Sequence, residues 1–465
     1  MSIAYLGRTQ LIANSTLPHG IQSLPDFQRQ SEPSRLHNLA QLLQQTIERM
    51  FKIDYDGIPR GEVKGLDDST RTRMQTLGLR KFAEELVEPM LQPNWRPGPC
   101  GLVAIDKEKG GHRFLAPPSV VDRIRQRGIY NLIGRRLAYL FSRNSFGFMP
   151  GRSSLQAVMA VFEAMNRPDL DTLILVDIVR CFPSLPVARV FQEFKTHIGD
   201  RTLLRWIEEY LRNRPPQKLV SRVERKLRNA GTLIENDLLS LNALRTRCVG
   251  VPEGSALSPL ACSLYLRLLI TDFERHLDGA VLVHYADNLA VVCRPDQQQA
   301  FCDRLVEAGR QYGLTMGEPD IIHRNDGQFG EFLGYGVGWL NATANLTVGP
   351  KAALRLTQRL REAYTPTTTS LDLRNTFNER IVPMIAYYRH AQNLLSVCGS
   401  GIKDYLVADR EWVLSRLTAL ICGWSKPYQE PYQETEWVSD DWSDAALSCY
   451  GDGQHAGDQK PGMDE

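Results

Sequence analysis

The sequence predicts an α+β fold with an antiparallel sheet at its centre and helices on one face. The segment "LILVDIV" (173–179) is apolar without alternation, which is typical of a buried strand. The segment "VLVHYADNLAVV" (281–292) is two apolar runs joined by a Tyr-Ala-Asp-Asn turn, which predicts a β-hairpin. Helical patterns lie between and after these strands, and the resulting order of strand, helices, hairpin, helix and strands indicates α+β.

The segments before the central strand combine helices with one hairpin. Residues 34–92 have apolar positions at helical spacing. The segment "GLVAIDKEKGGHRFLAPPS" (101–119) predicts a β-hairpin closed by a Gly-Gly turn. The segment "VVDRIRQRGIYNLIGRRLAYLF" (120–141) predicts an amphipathic, arginine-rich helix.

The segments after the central strand are mostly helical. Residues 187–247 are helical and rich in arginine, and 249–277 predict a loop followed by a helix that Ser258 caps and Pro259 begins. A further helix is expected over 297–314, and "GEFLGYGVGWL" (330–340) predicts short, glycine-rich strands. Three helical stretches follow, at 351–364, 371–392 and 402–424.

Composition excludes several classes of protein. The 465 residues are 43% hydrophobic and 23% charged, as in a soluble globular protein of two or three domains. No apolar run approaches the roughly 20 residues of a membrane span, and the N-terminus lacks the apolar core of a signal peptide, so we expect a cytoplasmic protein with no membrane partner. The nine cysteines contain no Cys-x-x-Cys pair, which argues against zinc modules and a disulfide framework.

The net charge of +2 hides an asymmetry along the chain. Residues 426–465 contain ten acids and two lysines, so the preceding 425 residues are strongly basic. A basic body suggests a polyanionic partner, and the acidic tail is predicted to be disordered. A solvated charged surface is the alternative explanation.

Two of the predicted strands end in an aspartate. Asp177 ends the buried strand, and Asp287 lies in the hairpin turn. Carboxylates at neighbouring strand ends can hold two divalent ions about 3.5–4 Å apart for phosphoryl transfer, and such oxygen ligands suit Mg²⁺. The spacing alone is unspecific, because Asp-Asn is also ordinary turn chemistry.

Several motifs together resemble those of reverse transcriptases, most closely the bacterial group II intron lineage. They occur in the order found in that family over roughly residues 90–425: "AIDKEKGGHRFLAPPSVVDRIRQ", "FSRNSFGFMPGRSSLQAV", "LILVDIVRCFPSL", "VPEGSALSPLACSLYL", "HYADN", "GEFLGYGVG" and "FNERIVPMIAYYRHA". The resemblance implies a right-hand polymerase. Its parts would be an N-terminal helical extension (1–92), fingers (93–170), a palm (171–345) with a helical insertion (187–247), a helical thumb (346–425) and the acidic tail (426–465).

The resemblance also implies roles for individual residues. Asp177, Asp287 and Asn288 would be the catalytic positions, with the metal ions (Mg²⁺, or Mn²⁺ in its place) held by the two aspartates and the carbonyl of Ile178. The incoming nucleotide would contact five residues, namely Lys107, Arg113, Phe182, Glu253 and Gly254. Phe182 would exclude a 2′-hydroxyl, and Lys107 and Arg113 would clamp the triphosphate. Phe332, Leu333 and Gly334 would grip the primer end.

Three positions depart from the family pattern. Asn288 replaces a second acid, and Glu253 replaces the usual glutamine, so we expect the two to act as a compensating pair that retunes nucleotide selection or metal preference. Ile321 replaces a lysine that could protonate the leaving pyrophosphate, and His323 is a candidate substitute.

The function implied is RNA-directed DNA polymerisation from dNTPs on an RNA template. Because the chain shows no endonuclease, RNase H or integrase signature, we expect a domesticated enzyme that serves antiphage defence with a dedicated non-coding RNA. Two alternatives stay open. One is template-independent or protein-primed DNA synthesis, for which Tyr387 and Tyr388 offer hydroxyls. The other is an inactive RNA-binding scaffold that uses the arginine-rich helices at 123–136 and 212–228.

Overall fold

The computed structural model describes residues 31–51, 67–107, 110–149, 151–364 and 370–424. The acidic tail and the first 30 residues of the predicted N-terminal extension lie outside the described residues. Three helices begin the described part: α1 Glu32–Met50, α2 Asp68–Leu77 and α3 Leu79–Leu91. Helix α2 begins where the Asp67 carboxylate accepts from the backbone N–H of Thr70 at 2.7 Å, a side-chain cap. The helical character predicted for 34–92 is confirmed where the structure describes the chain, and residues 52–66 lie outside the described residues.

The hairpin predicted for the fingers is present. Strands β1 Val103–Asp106 and β2 His112–Leu115 pair antiparallel. Gly110 and Gly111 take the left-handed backbone that the turn requires (φ 88° and 74°). Two helices follow, α4 Val120–Leu137, which a 3₁₀ turn extends over Ala138–Leu140, and α5 Ser154–Met165. Apolar side chains of α1, α3 and α4 share one core, so the N-terminal helices pack on the segment predicted to form the fingers.

The central strand is followed by the predicted helical insertion. Strand β3 spans Thr172–Val179, and a single helical turn, α6 Cys181–Ser184, follows it. The insertion consists of four helices: α7 Val187–His197, α8 Arg201–Leu211, α9 Gln217–Asn229 and α10 Glu235–Arg245. Its Val220 and Leu241 pack with Phe114 of β2 in a small separate core, which ties the insertion to the fingers hairpin.

The second half of the central sheet follows the insertion. Its elements are α11 Ser258–Glu274, β4 Val281–Tyr285, β5 Asn288–Cys293, a 3₁₀ turn at Pro295–Gln297, α12 Gln298–Gln311, β6 Thr315–Met316 and β7 Asp320–His323. Pro259 lies in the first turn of α11 as predicted, but Ser258 does not cap the helix. Its hydroxyl is buried without a hydrogen-bond partner, and the capping position is Leu257.

The central sheet is antiparallel and covered on both faces. Its order is β4-β5-β3-β6, and β7 also pairs with β3. Alternate residues of β3 enter different cores: Ile174 and Val176 pack with α11, whereas Leu173 and Leu175 pack with α5 and the second sheet. The prediction of helices on one face is therefore incomplete, and burial on both faces explains why the strand shows no apolar–polar alternation.

A second sheet and the C-terminal helices complete the described fold. The second sheet has the order β10-β9-β8, with β8 Phe329–Phe332, β9 Tyr335–Leu340 and β10 Thr343–Val348. The helices are α13 Pro350–Glu362, α14 Ser370–Thr376, α15 Val382–Ala386, α16 Leu394–Gly401 and α17 Val407–Trp424. The helix predicted over 371–392 is not continuous, because a π-helical segment, Phe377–Ile381, interrupts it just before Pro383.

Candidate active site

Asp177 and Asp287 lie together at one edge of the central sheet. Asp177 is opposite Asn288, the first residue of β5. The N–H of Ile178 donates to the carbonyl of Asp287 at 2.8 Å, whereas the carbonyl of Asp177 accepts from Gly317 on the other side at 2.7 Å. Asp177 and Asn288 therefore form a non-hydrogen-bonded pair, whose Cα atoms approach to about 4.5 Å. The register brings the two aspartates to adjacent strand ends.

In the protein alone, the environment of Asp287 disfavours the charged form of its carboxyl group. Burial raises the pKa of Asp287, and the charge of Asp177 raises it further, while Arg113 acts in the opposite direction. Asp177 is the single exposed residue of an otherwise buried strand. Asn288 donates its Nδ2 to Oδ1 of Asp287 at 3.0 Å. The amide thus supplies a donor at a position where an acid would add another negative charge.

The turn that carries Asp287 is held by residues that sequence reasoning missed. Its left-handed residue is Ala286 (φ 57°), and neither Asp287 nor Asn288 takes this conformation. His284 donates from Nε2 to the carbonyl of Ala286 at 2.6 Å, and burial lowers the pKa of His284 to about 4, which keeps the ring neutral. Gly147 lies so close that an added Cβ would be 2.1 Å from the Ala286 nitrogen. Both residues are inside recognised motifs, but neither has a spacing that signals its role.

A cavity of about 190 Å³ opens beside this edge. Five of the residues predicted to bind nucleotide or metal line it: Lys107, Arg113, Phe182, Glu253 and Asp287. They come from the β1–β2 hairpin, the segment after β3, the loop before α11 and the β4–β5 turn, so the fold assembles a pocket from segments far apart in the sequence. The structure thus brings most of the predicted site together.

Arg113 is paired with Glu253 across the mouth of this cavity. Arg113 Nε donates to Glu253 Oε2 at 2.5 Å, and the N–H of Ala116 donates to the carbonyl of Glu253 at 2.7 Å. Arg113 is half-exposed, whereas Glu253 is mostly covered. Both the side chain and the backbone of Glu253 therefore hold the fingers hairpin against the loop, and its predicted partner Asn288 bonds elsewhere.

The aromatic residue predicted to lie under the sugar is packed in place. Phe182 is 9% exposed, lines the cavity and stands edge-on to Phe148, with 6.0 Å between ring centroids. Phe148 also contacts Tyr285 of the hairpin, at 6.4 Å. The N–H of Val251 donates to the carbonyl of Phe182 at 3.0 Å. The Phe182 ring thus packs against Phe148, and the backbone of Phe182 is held by the loop at Val251.

Gly254 and the second hairpin have backbone conformations that fit their sequence. Gly254 is exposed and left-handed (φ 95°), which only glycine adopts readily. Leu333 and Gly334 (φ 51° and 83°) form the turn between β8 and β9, while Phe332 is buried. Tyr387 donates its hydroxyl to the carbonyl of Leu333 at 2.8 Å, so this hairpin is joined to the C-terminal helices. Its role as a primer grip stays a prediction.

His323 is not placed to protonate a leaving group. It pairs with Thr172 at the start of β3, and its Nδ1 lies 3.1 Å from the Thr172 hydroxyl. Asp177 is five residues further along the same strand, a separation of about 16 Å at 3.3 Å per residue. The hypothesis that His323 replaces the missing lysine is therefore wrong.

Two arginines in the cavity wall were not predicted. Arg214 is buried, and its guanidinium donates to the carbonyls of Leu211, Asn213, Thr246 and Gly250 at 2.6–2.8 Å. Arg180 follows β3 with a left-handed backbone (φ 48°), and its buried Nε has no hydrogen-bond partner. Neither has a sequence signal beyond its position in or near a motif.

The residues at this edge fit a divalent cation that shares its ligands with a substrate. The described residues contain no group of three or more His, Cys, Asp or Glu side chains able to hold a metal by themselves. Two carboxylates, one exposed and one with a raised pKa, leave positions for carbonyl, water and phosphate oxygens. This incomplete, all-oxygen set is what Mg²⁺ uses at phosphoryl-transfer sites.

Comparisons with known proteins agree with this geometry. Residues 105–318 match the model of a family described as "Reverse transcriptase (RNA-dependent DNA polymerase)". The chain is 29% identical over 223 residues to "Uncharacterized 91 kDa protein in cob intron" of Schizosaccharomyces pombe, a match covering 47% of this chain and 24% of the relative. It is 24% identical over 234 residues to "Putative COX1/OXI3 intron 2 protein" of Saccharomyces cerevisiae, covering 50% and 24%. The chain thus matches about a quarter of the length of these relatives.

A solved structure also overlaps part of the chain, at a low level of similarity. It is a telomerase from Candida albicans in complex with a fragment of telomeric RNA, 12% identical, with a TM-score of 0.38 over 75% of this chain and 66% of that one. Within the described residues no helix is long and apolar enough to cross a bilayer. The family match covers the hairpin, the central strand and the Asp287 turn. Residues 105–318 are therefore similar to a reverse transcriptase domain, and the antiparallel central sheet with its surrounding helices fits the predicted α+β fold of a right-hand polymerase.

Proposed function

We propose that this chain is an RNA-directed DNA polymerase that transfers nucleotides from dNTPs to a primer on an RNA template. The observation that carries the proposal is the register that sets Asp177 beside Asp287, next to a cavity lined by Lys107, Arg113 and Phe182. A basic and an acidic set of side chains thus face one small pocket. The family match supports the same reaction.

Mg²⁺, or Mn²⁺ in its place, would be held by the carboxylates of Asp177 and Asp287 with the carbonyl of Ile178. When bound, such cations stabilise negative charge on the attacking and leaving oxygens of phosphoryl transfer. Asn288 orients Asp287 through its amide, and His284 holds the turn from behind. The protein's part at this edge is to keep two carboxylates close together despite their repulsion.

The remaining predicted residues would bind and select the substrates. Lys107 and Arg113 would neutralise the triphosphate from the fingers side. Phe182 would exclude the 2′-hydroxyl of a ribonucleotide, because its ring packs against Phe148 and its backbone is held by the loop at Val251. The exposed Gly254 would let the backbone approach the base pair, and the Phe332–Gly334 hairpin would seat the primer end.

The test is primer extension with purified chain, an RNA template, a DNA primer, Mg²⁺ or Mn²⁺ and labelled dNTPs. We expect a product complementary to the template, abolished by Asp177→Ala. Asp303→Asn is the matched control, because Asp303 is an exposed acid on α12 outside the cavity. RNA binding without incorporation by the wild type would instead identify the inactive scaffold.

Sugar selection offers a second readout of the same site. We expect Phe182→Ala to raise ribonucleotide incorporation relative to deoxynucleotides by about tenfold to a hundredfold, the range for removing one steric exclusion from a pocket. The measurement is the ratio of kcat/KM for dATP and ATP. An unchanged ratio would remove Phe182 from the sugar site.

The contacts of Tyr387 argue against protein priming through this residue. Its hydroxyl donates to the carbonyl of Leu333, and burial raises the pKa of Tyr387. A hydroxyl held in this way is a poor nucleophile. Template-independent synthesis by the same palm would appear in the extension assay as product that forms without added RNA.

For the cellular role, we propose service in antiphage defence with a dedicated non-coding RNA, as the resemblance implied. The basic body of the chain supports an RNA partner. Sequencing the RNA that co-purifies with the chain tests the partner. Phage plating on cells with the wild type or Asp177→Ala tests the role, and equal plating on both would contradict it.

A further inference from the structure

The palm wall of the cavity contains a cation that the family resemblance does not assign. Arg180 comes three residues after Asp177, between the end of β3 and the turn that holds Phe182, and it lines the same cavity as Lys107 and Arg113. Its backbone is left-handed, with φ 48°. For a residue with a Cβ, this conformation is unfavourable and persists only where the surroundings impose it.

The side chain of Arg180 has one buried nitrogen without a partner. Its Nε is buried without a hydrogen-bond partner, and within the described part of the chain no acid forms an ion pair with it. Arg214, which also lines the cavity, has a different environment. Four backbone carbonyls accept hydrogen bonds from its guanidinium at 2.8 Å or less. Arg180 has no such set of backbone acceptors around its Nε.

The acids of the cavity already have other partners. Glu253 binds Arg113, and Asp287 accepts from the Asn288 amide. Arg113 must share its charge with Glu253, whereas Arg180 has no such competitor among the described residues. Arg180 is therefore a cation of this cavity that does not share its charge with an acid among the described residues.

We propose that Arg180 binds the triphosphate of the incoming nucleotide from the palm side, opposite Lys107 and Arg113 of the fingers. This inference rests on the proposed function and names a further residue for its substrate. A guanidinium offers a planar fork that matches two phosphate oxygens, and the reactant with several such oxygens is the triphosphate. The left-handed backbone at 180 turns the chain out of β3, so that the side chain lines the cavity in which Asp287 also lies.

The first experiment measures steady-state primer extension by Arg180→Gln, Arg180→Lys and Arg180→Gly. We expect Arg180→Gln to raise the KM for dNTP by about tenfold or more, as for loss of a charged hydrogen bond, with kcat changed much less. Arg180→Lys should lie between wild type and Arg180→Gln. Arg189→Gln, an exposed arginine on α7 outside the cavity, is the control and should match wild type.

Arg180→Gly separates charge from backbone. It removes the cation but relieves the left-handed strain, so we expect a KM as high as that of Arg180→Gln together with a Tm at or above wild type. If Arg180→Gly behaved as wild type while Arg180→Gln did not, the residue would serve only the backbone and the inference would be overturned. A rise in the KM for primer–template, with that for dNTP unchanged, would place Arg180 on the nucleic acid and overturn it too.

A binding measurement keeps this inference distinct from the proposed function. Calorimetric titration with dATP and dAMP needs no turnover, and we expect Arg180→Gln to weaken dATP binding about tenfold and dAMP binding little. If wild type extended primers but Arg180→Gln bound dATP normally, the inference would fail and the polymerase would stand. If wild type bound dATP through Arg180 without extending any primer, the polymerase would fail and the inference would stand. Absence of dATP binding by wild type would overturn the inference.

Discussion

The cavity has two walls whose charged side chains can be compared directly. On the insertion side, Arg214 donates to backbone carbonyls, and His112 donates from Nδ1 to Asp237 at 2.8 Å. Burial acts to raise the pKa of Asp237, but its hydrogen bonds from His112 and the backbone outweigh this and lower it. On the palm side, Asp287 has a raised pKa and Arg180 an unpaired nitrogen.

The two sides differ in whether their charged side chains find partners within the protein. We interpret paired charges as stabilising the fold and unpaired charges as available to a ligand. The insertion wall satisfies each ion internally, which holds the insertion helices against the fingers hairpin and the palm loop. The other side of the cavity has a carboxylate whose charged form is disfavoured and an arginine nitrogen without a partner, and a ligand that brings both cations and anions would stabilise both. A metal-bound nucleoside triphosphate is such a ligand. The predictions below test this contrast, from the largest expected effect to the smallest.

The largest effect is expected at the carboxylate pair. Asp177→Asn or Asp287→Asn should lower incorporation by about a thousandfold or more, because each removes a metal ligand. Asp287→Asn should also raise the Tm by about 2 °C, since it removes a buried charge that Asp177 repels. Mg²⁺ should raise the Tm of the wild type but not of either variant. Calorimetric melts with and without Mg²⁺ check this, and a lower Tm for Asp287→Asn would contradict it.

On the insertion side of the cavity, we expect a substitution to change the free energy of unfolding. Arg214→Met should lower the free energy of unfolding by about 3 kcal/mol, because it leaves several buried carbonyls without donors. Urea unfolding measures the change, and Arg212→Met, whose parent pairs with Glu208 at the surface, is the matched control. A normal unfolding midpoint for Arg214→Met would show that this wall is not structural.

The turn behind Asp287 should make stability depend on pH. Burial lowers the pKa of His284 from 6.5 to about 4. Between these two pH values, His284 is therefore protonated in the unfolded chain but neutral in the folded chain. Stability is full above pH 6.5 and should fall as the pH drops towards 4, by up to about 3 kcal/mol. His284→Gln keeps a donor for the Ala286 carbonyl and should flatten this part of the profile. Identical wild-type and variant profiles would exclude His284 as the cause.

The smallest effect is expected from the two departures at the pocket. Asn288→Asp adds a negative charge beside Asp287, and Glu253→Gln removes one while releasing Arg113. We expect each single variant to lower kcat/KM and the double variant to lose less than the sum, with a coupling of about 1 kcal/mol. A double-mutant cycle on dNTP incorporation measures it, and simple additivity would show that the two positions act independently.

Several local features could be read from the sequence because their signals are local. The Gly-Gly turn at 110–111, the strand around Asp177 and the hairpin around Asp287 are set by apolar pattern and turn residues, and all three are present. Pro259 begins its helix as predicted. The prediction of one continuous helix over 371–392 was wrong, because the chain changes to π-helical geometry just before Pro383. The spacing of apolar residues does not reveal this change.

The failures at the site share one cause, which is that register and packing are not local. His323 is close to the catalytic motifs in sequence, yet strand pairing sets it beside Thr172. Ser258 has the side chain of a helix cap, but burial leaves its hydroxyl without a partner. The contact of Glu253 with Arg113 has no local signal in the sequence either, and the expected coupling of Glu253 with Asn288 stays a prediction.

By itself, the sequence determined which elements form and which chemical groups they bring, because hydrophobic period, turn residues and motif order act over a few residues. The tertiary structure alone decided that Asp177 and Asp287 share one sheet edge, that the sheet is buried on both faces and that the Nε of Arg180 has no partner while Arg214 donates to backbone carbonyls. Pairing of charges depends on distances between segments more than a hundred residues apart, and only the packed fold sets those distances.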